Sequence, residues 1–525
     1  MPVLRPAAAL AILLGLVIGL SACGQTAGPA FDIVSGSENQ PLEPLVQEFC
    51  KERRATCTMT YQGSLDIGLA LKPGQDVKFD AVWPASGIWV AMFDTGRRVS
   101  ALKSISQSPV VLGARKSKAE ALGWTKGPVS MADILAAVES GKLRFLMTSA
   151  TQSNSGASAY IAMLSAALGS KAVLSEADLS GASADMAARL LRGVERSSGS
   201  SGWLAELYLT AASKGLIYDA MWNYESVIKE TNDKLRTAGK ELLWAVYPSD
   251  GVAMSDSPLG FVERGRGPEV RQFFDDLQAW LLTPETQARI AQTGRRVPAE
   301  RAAAARPEPD WNFDPQRLVT AVPLPEPAVI RKALVLYQEA LRRPSLSVLC
   351  LDFSGSMKGD GENALQRAME FLLTPQQASE VLIQWSPRDR IIVIPFTSGV
   401  AGVWEGSGQP LDQAKILAQV QSMHAEGGTN MYACAAEGLR RMAALKDREN
   451  YLPAIVVMTD GRSEGDPQAF LSTLTPEQRA VPIFGITFGD ADRGQLDALT
   501  AATSGRVFDG VKDLTGAFRS ARGYN

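Results

Sequence analysis

Histidine is almost missing from this chain: 525 residues contain one, His424. Zinc sites built on paired histidines are thereby excluded, and a Ser-His-Asp triad has a single residue to draw on. Neither charge sign dominates, with 53 Lys+Arg against 56 Asp+Glu and a formal net charge of −3, and no long basic block occurs. A phosphate backbone has no track to follow, so nucleic acid is not an expected partner. A glycine-rich phosphate loop is absent too. Beyond the N-terminus no stretch of about twenty apolar residues appears, the length a membrane-spanning helix needs. Cysteines number only five.

What is present is a composition rich enough for real cores, 46% hydrophobic, over a length that suggests several compact units. Arg5 is the one charge before the apolar run Ala7–Leu20, a signal-peptide core too short to span a bilayer comfortably. Leu20-Ser21-Ala22-Cys23 follows and resembles the lipobox of bacterial lipoproteins. That resemblance implies a signal peptide over 1–22, a lipid on Cys23, and residues 23–30 as a small, uncharged tether. The expected location is the bacterial cell envelope, lipid-anchored to a membrane and facing the periplasm or the outside.

In such an oxidising compartment Cys50 and Cys57, separated by a polar helix-to-strand turn, read as a short loop disulfide. Cys350 and Cys434 sit in expected core elements, where a free buried thiol and a bond are both open.

From Phe31 the chain alternates short strands with helical patterns, as in Phe31–Val34, Pro41–Cys50, Thr58–Tyr61 and Asp80–Trp83, which implies an α/β architecture with mainly parallel sheets. Six prolines between Arg301 and Val329 interrupt regular structure and mark a linker, followed by a helix that Pro344 ends. The domain reading is therefore 31–300, a Pro-rich linker and helix over 301–344, and a second domain over 345–525. Strands such as Ala454–Met458 are apolar throughout, as a doubly wound domain with helices on both sheet faces requires. Leu-Thr-Pro recurs at 282–284, 373–375 and 474–476. Threonine at the N-cap with proline at the first helical position reads these as three helix starts rather than a repeat.

The strongest constellation begins at Asp352-Phe353-Ser354-Gly355-Ser356, directly after an apolar strand, and continues with Gly427-Gly428-Thr429-Asn430 and Thr459-Asp460-Gly461. It resembles the metal-ion-dependent adhesion site of von Willebrand factor A domains, a Rossmann-like fold. The resemblance implies that Ser354, Ser356 and Thr429 ligate Mg²⁺ (or Mn²⁺ or Ca²⁺) through hydroxyls while Asp352 and Asp460 supply charge and hold waters. A hard cation suits such oxygen donors. So few carboxylates leave the ion electrophilic, ready for a carboxylate offered by a protein partner.

Residues 31 to about 300 resemble type II extracellular solute-binding proteins, in the branch with molybdate-type binders. The carriers are Val34-Ser35-Gly36-Ser37, Tyr61-Gln62-Gly63-Ser64, Pro84-Ala85-Ser86-Gly87, Gln152-Ser153-Asn154-Ser155-Gly156 and Asn223-Tyr224-Glu225-Ser226, in that order. A periplasmic-binding-protein-like module of two lobes is implied, with crossings expected near 114–117 and 243–247 and a cleft between. Ser37, Ser64, Ser86, Ser155 and Tyr224 are the expected contacts to a small polar solute. Glu38 and Glu225 sit awkwardly with an anion and fit a cationic or amino-bearing ligand, or solvent. Ser197–Gly202 reads as a cap and linker.

The expected function is a lipoprotein that binds a small polar solute in the N-terminal cleft and a protein partner through a Mg²⁺-dependent site. The alternative is the receptor of an ABC permease whose metal domain only assists docking. Catalysis is not expected. Gly461-Arg462-Ser463-Glu464-Gly465 matches a nucleophile elbow, but hydrolases of that fold place histidine after the serine, and His424 precedes it.

Overall fold

The computed structural model describes residues 28–169, 173–301, 305–489, 491–511 and 513–523. The expected signal peptide, Cys23 and most of the expected tether lie outside the described residues.

The first lobe is built on a five-stranded sheet ordered Thr56–Gln62, Ala30–Gly36, Ala81–Trp83, Pro258–Val262 and Val99–Ser104. Its first three strands are parallel, and Pro258–Val262 runs antiparallel to both neighbours. Phe31, Phe49, Phe273 and Phe274 fill its core beside the Cys50–Cys57 disulfide, which the structure contains with the Cα atoms 6.2 Å apart.

The second lobe has a six-stranded sheet centred on Ser108–Arg115 and Ala220–Tyr224. The chain leaves the first sheet after Ser104, enters the second at Ser108, and returns between Ser255 and Pro258. These are the crossings. The expected positions near 114–117 and 243–247 are wrong, because Arg115 pairs with Leu243 inside the second sheet. Alternating strand and helix looks the same within a lobe as between lobes, so pairing rather than pattern locates the passage.

Residues 305–341 are also more than a spacer. Trp311 and Phe313 stack at 4.7 Å and are buried, and Ala321 bridges to Val252 of the second lobe. The helix Pro327–Leu336 adds Ile330, Ala333 and Leu334 to the same core. Proline interrupts regular structure there without preventing burial.

The C-terminal domain carries a six-stranded sheet ordered Trp404–Ser407, Arg390–Phe396, Ser345–Asp352, Leu452–Thr459, Ile483–Thr487 and Val507–Asp509. Every pairing is parallel except the one at the Trp404–Ser407 edge. Ser345–Asp352 is buried along its whole length, which explains its lack of polar alternation. The three Leu-Thr-Pro motifs do start helices, at Pro284, Pro375 and Pro476. Cys350 and Cys434 form the second disulfide.

The domains are docked. Ser197 Oγ of the second lobe donates to the Gly523 carbonyl at 3.2 Å, and Lys214 Nζ to the Ala501 carbonyl at 2.8 Å. The last helix, Leu514–Arg522, reaches both lobes: Arg519 pairs with Asp66 of the first, and its carbonyl accepts from Gln152 of the second at 2.5 Å.

Candidate functional site

In the C-terminal domain the central strand delivers Asp352, fully buried, to the carboxyl end of the sheet. Ser354 N donates to its Oδ1 at 2.8 Å and Thr459 Oγ1 to its Oδ2 at 2.6 Å, so both oxygens are fixed. Ser354 and Ser356 hydroxyls stand 3.0 Å apart, and Ser356 Oγ donates to Asp460 Oδ1 at 2.8 Å.

The Thr429 segment docks on that turn through Gly355 N donating to Gly427 O at 3.0 Å and Glu426 N to Phe353 O at 2.8 Å. Gly427 has φ +74°, the left-handed region that favours glycine. Asn430 caps the helix Met431–Ala444 by accepting from Ala433 N, leaving buried Thr429 one residue before the cap. A methyl group on Gly461 would lie 3.5 Å from Ser356 Oγ and 3.7 Å from Thr429 Oγ1. Both hydroxyls therefore flank the same spot beside Asp460. The five side chains named from sequence converge.

Their chemistry fits a hard divalent ion. Burial pushes the Asp352 carboxyl above its ordinary range, against hydrogen bonds from Ser354 and Thr459 that pull it down. Among the described residues no Lys, Arg or His nitrogen comes within 4.0 Å of it. Nor do three of His, Cys, Asp and Glu gather anywhere among those residues as a metal cluster, so the donor set is two carboxylates and three hydroxyls. Asp352, Ser354 and Thr429 form a buried floor, while Ser356 is exposed at the mouth.

Ser463, the serine of the elbow-like motif, is buried and accepts from Met431 N at 3.0 Å. With Glu464 N donating to Thr429 O at 2.7 Å, it clasps the third segment to the second. His424 is 85% exposed at its side chain and contacts Glu362.

The five cleft residues are all buried, and their hydroxyls are engaged within the protein. Ser37 Oγ accepts from Gly202 N at 3.0 Å, Ser64 Oγ from Ala85 N at 2.9 Å, and Ser86 Oγ from Ile88 N at 3.4 Å. Ser155 Oγ bonds Thr148 Oγ1 at 2.9 Å, and Tyr224 Oη accepts from Asn154 Nδ2 at 3.0 Å. The lobes are closed on one another: Trp89 Nε1 donates to Asn154 Oδ1 at 2.9 Å across the seam. A Cβ on Gly63 would fall 2.3 Å from the Gln152 carbonyl, so only glycine allows this approach.

Sequence reading missed the other wall. Ser197–Gly202 is the end of a strand and the start of the helix Ser201–Ser213, and Ser201 and Gly202 meet Glu38 and Ser37 from the opposite lobe. Its Ser/Gly run after a strand has the same form as Gln152–Gly156, which was the available signal. Glu225 is explained structurally by Arg296, 2.7 Å away, and by the Tyr247 hydroxyl.

The architecture is thus a two-lobed α/β module with a closed interlobe seam, joined to a doubly wound domain. A family model for bacterial extracellular solute-binding protein matches residues 33–296, and one for von Willebrand factor type A domain matches 348–519. The chain belongs to the bacterial extracellular solute-binding proteins and carries a von Willebrand factor A domain. Among solved structures it is similar to von Willebrand factor type A from Catenulispora acidiphila, at 18% identity and TM-score 0.29, over 35% of this chain and 43% of that one. It is similar as well to the Azotobacter vinelandii periplasmic molybdate-binding protein, at 13% identity and TM-score 0.35, over 51% of this chain and 99% of that one. A third is the periplasmic binding protein AfuA from Actinobacillus pleuropneumoniae, with fructose-6-phosphate bound, at 14% identity and TM-score 0.39, over 57% and 93%. No helix among the described residues is long and apolar enough to cross a membrane.

Proposed function

We propose that this protein is a cell-envelope receptor that holds a small polar solute between its lobes and a protein partner at the 352–460 site of its C-terminal domain, without catalysis. The observation that carries the reading is the Ser356 to Asp460 hydrogen bond of 2.8 Å, which joins segments 104 residues apart beside Thr429. Ser354, Ser356 and Thr429 would hold Mg²⁺ (or Mn²⁺ or Ca²⁺) directly, with Asp352 and Asp460 balancing its charge. A bound divalent ion offers an open position to an outside carboxylate. The buried floor keeps Asp352 in place, and the exposed Ser356 side leaves a way in.

Thermal unfolding with and without Mg²⁺ tests this. Wild type should gain stability with Mg²⁺ and Asp352→Ala should not; equal gain in both removes the assignment. Lipid on Cys23 belongs to the same reading, and its test is release of Cys23→Ser from the membrane fraction.

The solute-binding family match favours a second reading, the receptor of an ABC permease with a docking domain. Uptake that survives Asp352→Ala would favour transport alone, whereas loss of a Mg²⁺-dependent partner would favour adhesion.

A further inference from the structure

Glu38 stands in the interlobe seam with no ion pair to its carboxylate among the described residues, the nearest guanidinium, Arg295, bonding its backbone carbonyl instead. It follows Ser37 at the carboxyl end of the first strand, is 8% exposed, and crosses to the second lobe, where its Oε2 accepts from Ser201 Oγ at 3.2 Å. Its other oxygen, Oε1, is buried with no partner among the described residues, and so is the hydroxyl of Ser200 in the facing loop. A Cβ on Gly36 would meet Oε1 at 1.9 Å, so glycine there makes room for the carboxylate to fold over the strand end.

The nearby cations are already committed. Arg295 donates to Glu230 Oε1 at 3.0 Å, to Thr293, and to the backbone carbonyl of Glu38 rather than its carboxylate. Arg296 is taken by Glu225. A buried carboxylate oxygen and a buried hydroxyl left unsatisfied each carry a desolvation cost unless something pairs with them. Water can donate, but only a cation would also hold the carboxylate in its charged form, which burial by itself disfavours.

We infer that the cleft takes a small ligand bearing an amine or guanidinium, which donates to Glu38 Oε1 and to Ser200, and that it rejects tetrahedral oxyanions. This rests on the reading of the seam as the solute site. An oxyanion would face the Glu38 carboxylate with the nearby guanidinium groups already engaged, whereas an ammonium can donate to Oε1 and neutralise the charge. Like charge fixed in the seam is the stronger discriminator, because exclusion of the wrong ligand needs only one fixed repulsive group.

The test is calorimetric binding and unfolding temperature of the full chain against putrescine, arginine and ethanolamine, against molybdate, sulfate and phosphate, and against glucose. The expected result is binding of at least one amine by wild type, weakened about 30-fold or more in Glu38→Gln and to a lesser extent in Ser200→Ala. Glu38→Gln keeps the side-chain shape, and circular dichroism reports whether both variants fold. Tighter binding of an oxyanion than of any amine by wild type, or amine binding unchanged in Glu38→Gln, overturns the inference and leaves the solute cleft standing. If no compound binds wild type or either variant, the cleft reading falls with it.

Discussion

Cys350 is bonded to Cys434, so the strand that ends on Asp352 is covalently tied to the helix that begins just after Thr429. The bond links two of the three segments of the proposed metal site within the hydrophobic core. A closure over a separation of 84 residues restricts the unfolded chain strongly. Replacing both cysteines by alanine should lower stability by about 2–5 kcal/mol, measured as the urea midpoint under non-reducing conditions. Protection by Mg²⁺ should weaken in the same variant, since Thr429 is then less firmly placed against Ser356. An unchanged midpoint would sink the claim.

Burial lifts the Glu38 carboxyl from 4.5 to about 7, against lowering contributions from its own backbone, Ser201 and Arg295, with Glu230 adding to the rise. Tyr224 is the other titratable group facing it. The folded state keeps a proton that the unfolded chain has released, so the linked stability is complete below about pH 4.5 and is lost as pH rises to about 7. Across that window the loss is about 3 kcal/mol. Ligand-free Glu38→Gln should show a flatter pH profile of unfolding free energy and exceed wild type above pH 7; parallel profiles would refute it.

Asp389 is fully buried and ties the connecting segment to the C-terminal domain. It accepts from Arg342 at 3.0 Å and from Ser345 N and Ser386 N, with Arg522 3.8 Å away. Asp389→Asn leaves two guanidinium groups buried without their anion and should cost about 3–5 kcal/mol. Differential scanning calorimetry should show unfolding of the C-terminal domain move to lower temperature. A single transition at the wild-type temperature would contradict this role.

Ser463→Ala removes the acceptor for Met431 N and should cost about 1 kcal/mol. It should change no turnover of nitrophenyl esters, because Ser463 is buried and serves the backbone. Ester turnover in wild type that disappears in the variant would reopen the hydrolase reading.

Much of this molecule was legible before any coordinates. Apolar strands such as Ala454–Met458 announce burial on both faces, and Thr-Pro pairs announce helix starts, because these signals reside in neighbouring residues. The 352–460 motifs were legible for a related reason: each is a short segment directly after a strand or before a helix, so its place at one end of the sheet follows from the element it joins. The interlobe crossings were not, since a strand's partner is set by long-range pairing, and Arg115 shows no local sign of meeting Leu243.

By itself the sequence determined the alternation of strand and helix, the oxygen-rich donor types, and the scarcity of histidine that removes common catalytic chemistry. Only tertiary structure decided that Ser201 faces Glu38, that Cys350 meets Cys434, and that the last helix bridges both lobes. The physical reason is that local preference acts over a few residues, while desolvation, charge pairing and covalent closure act between groups that only folding brings into contact.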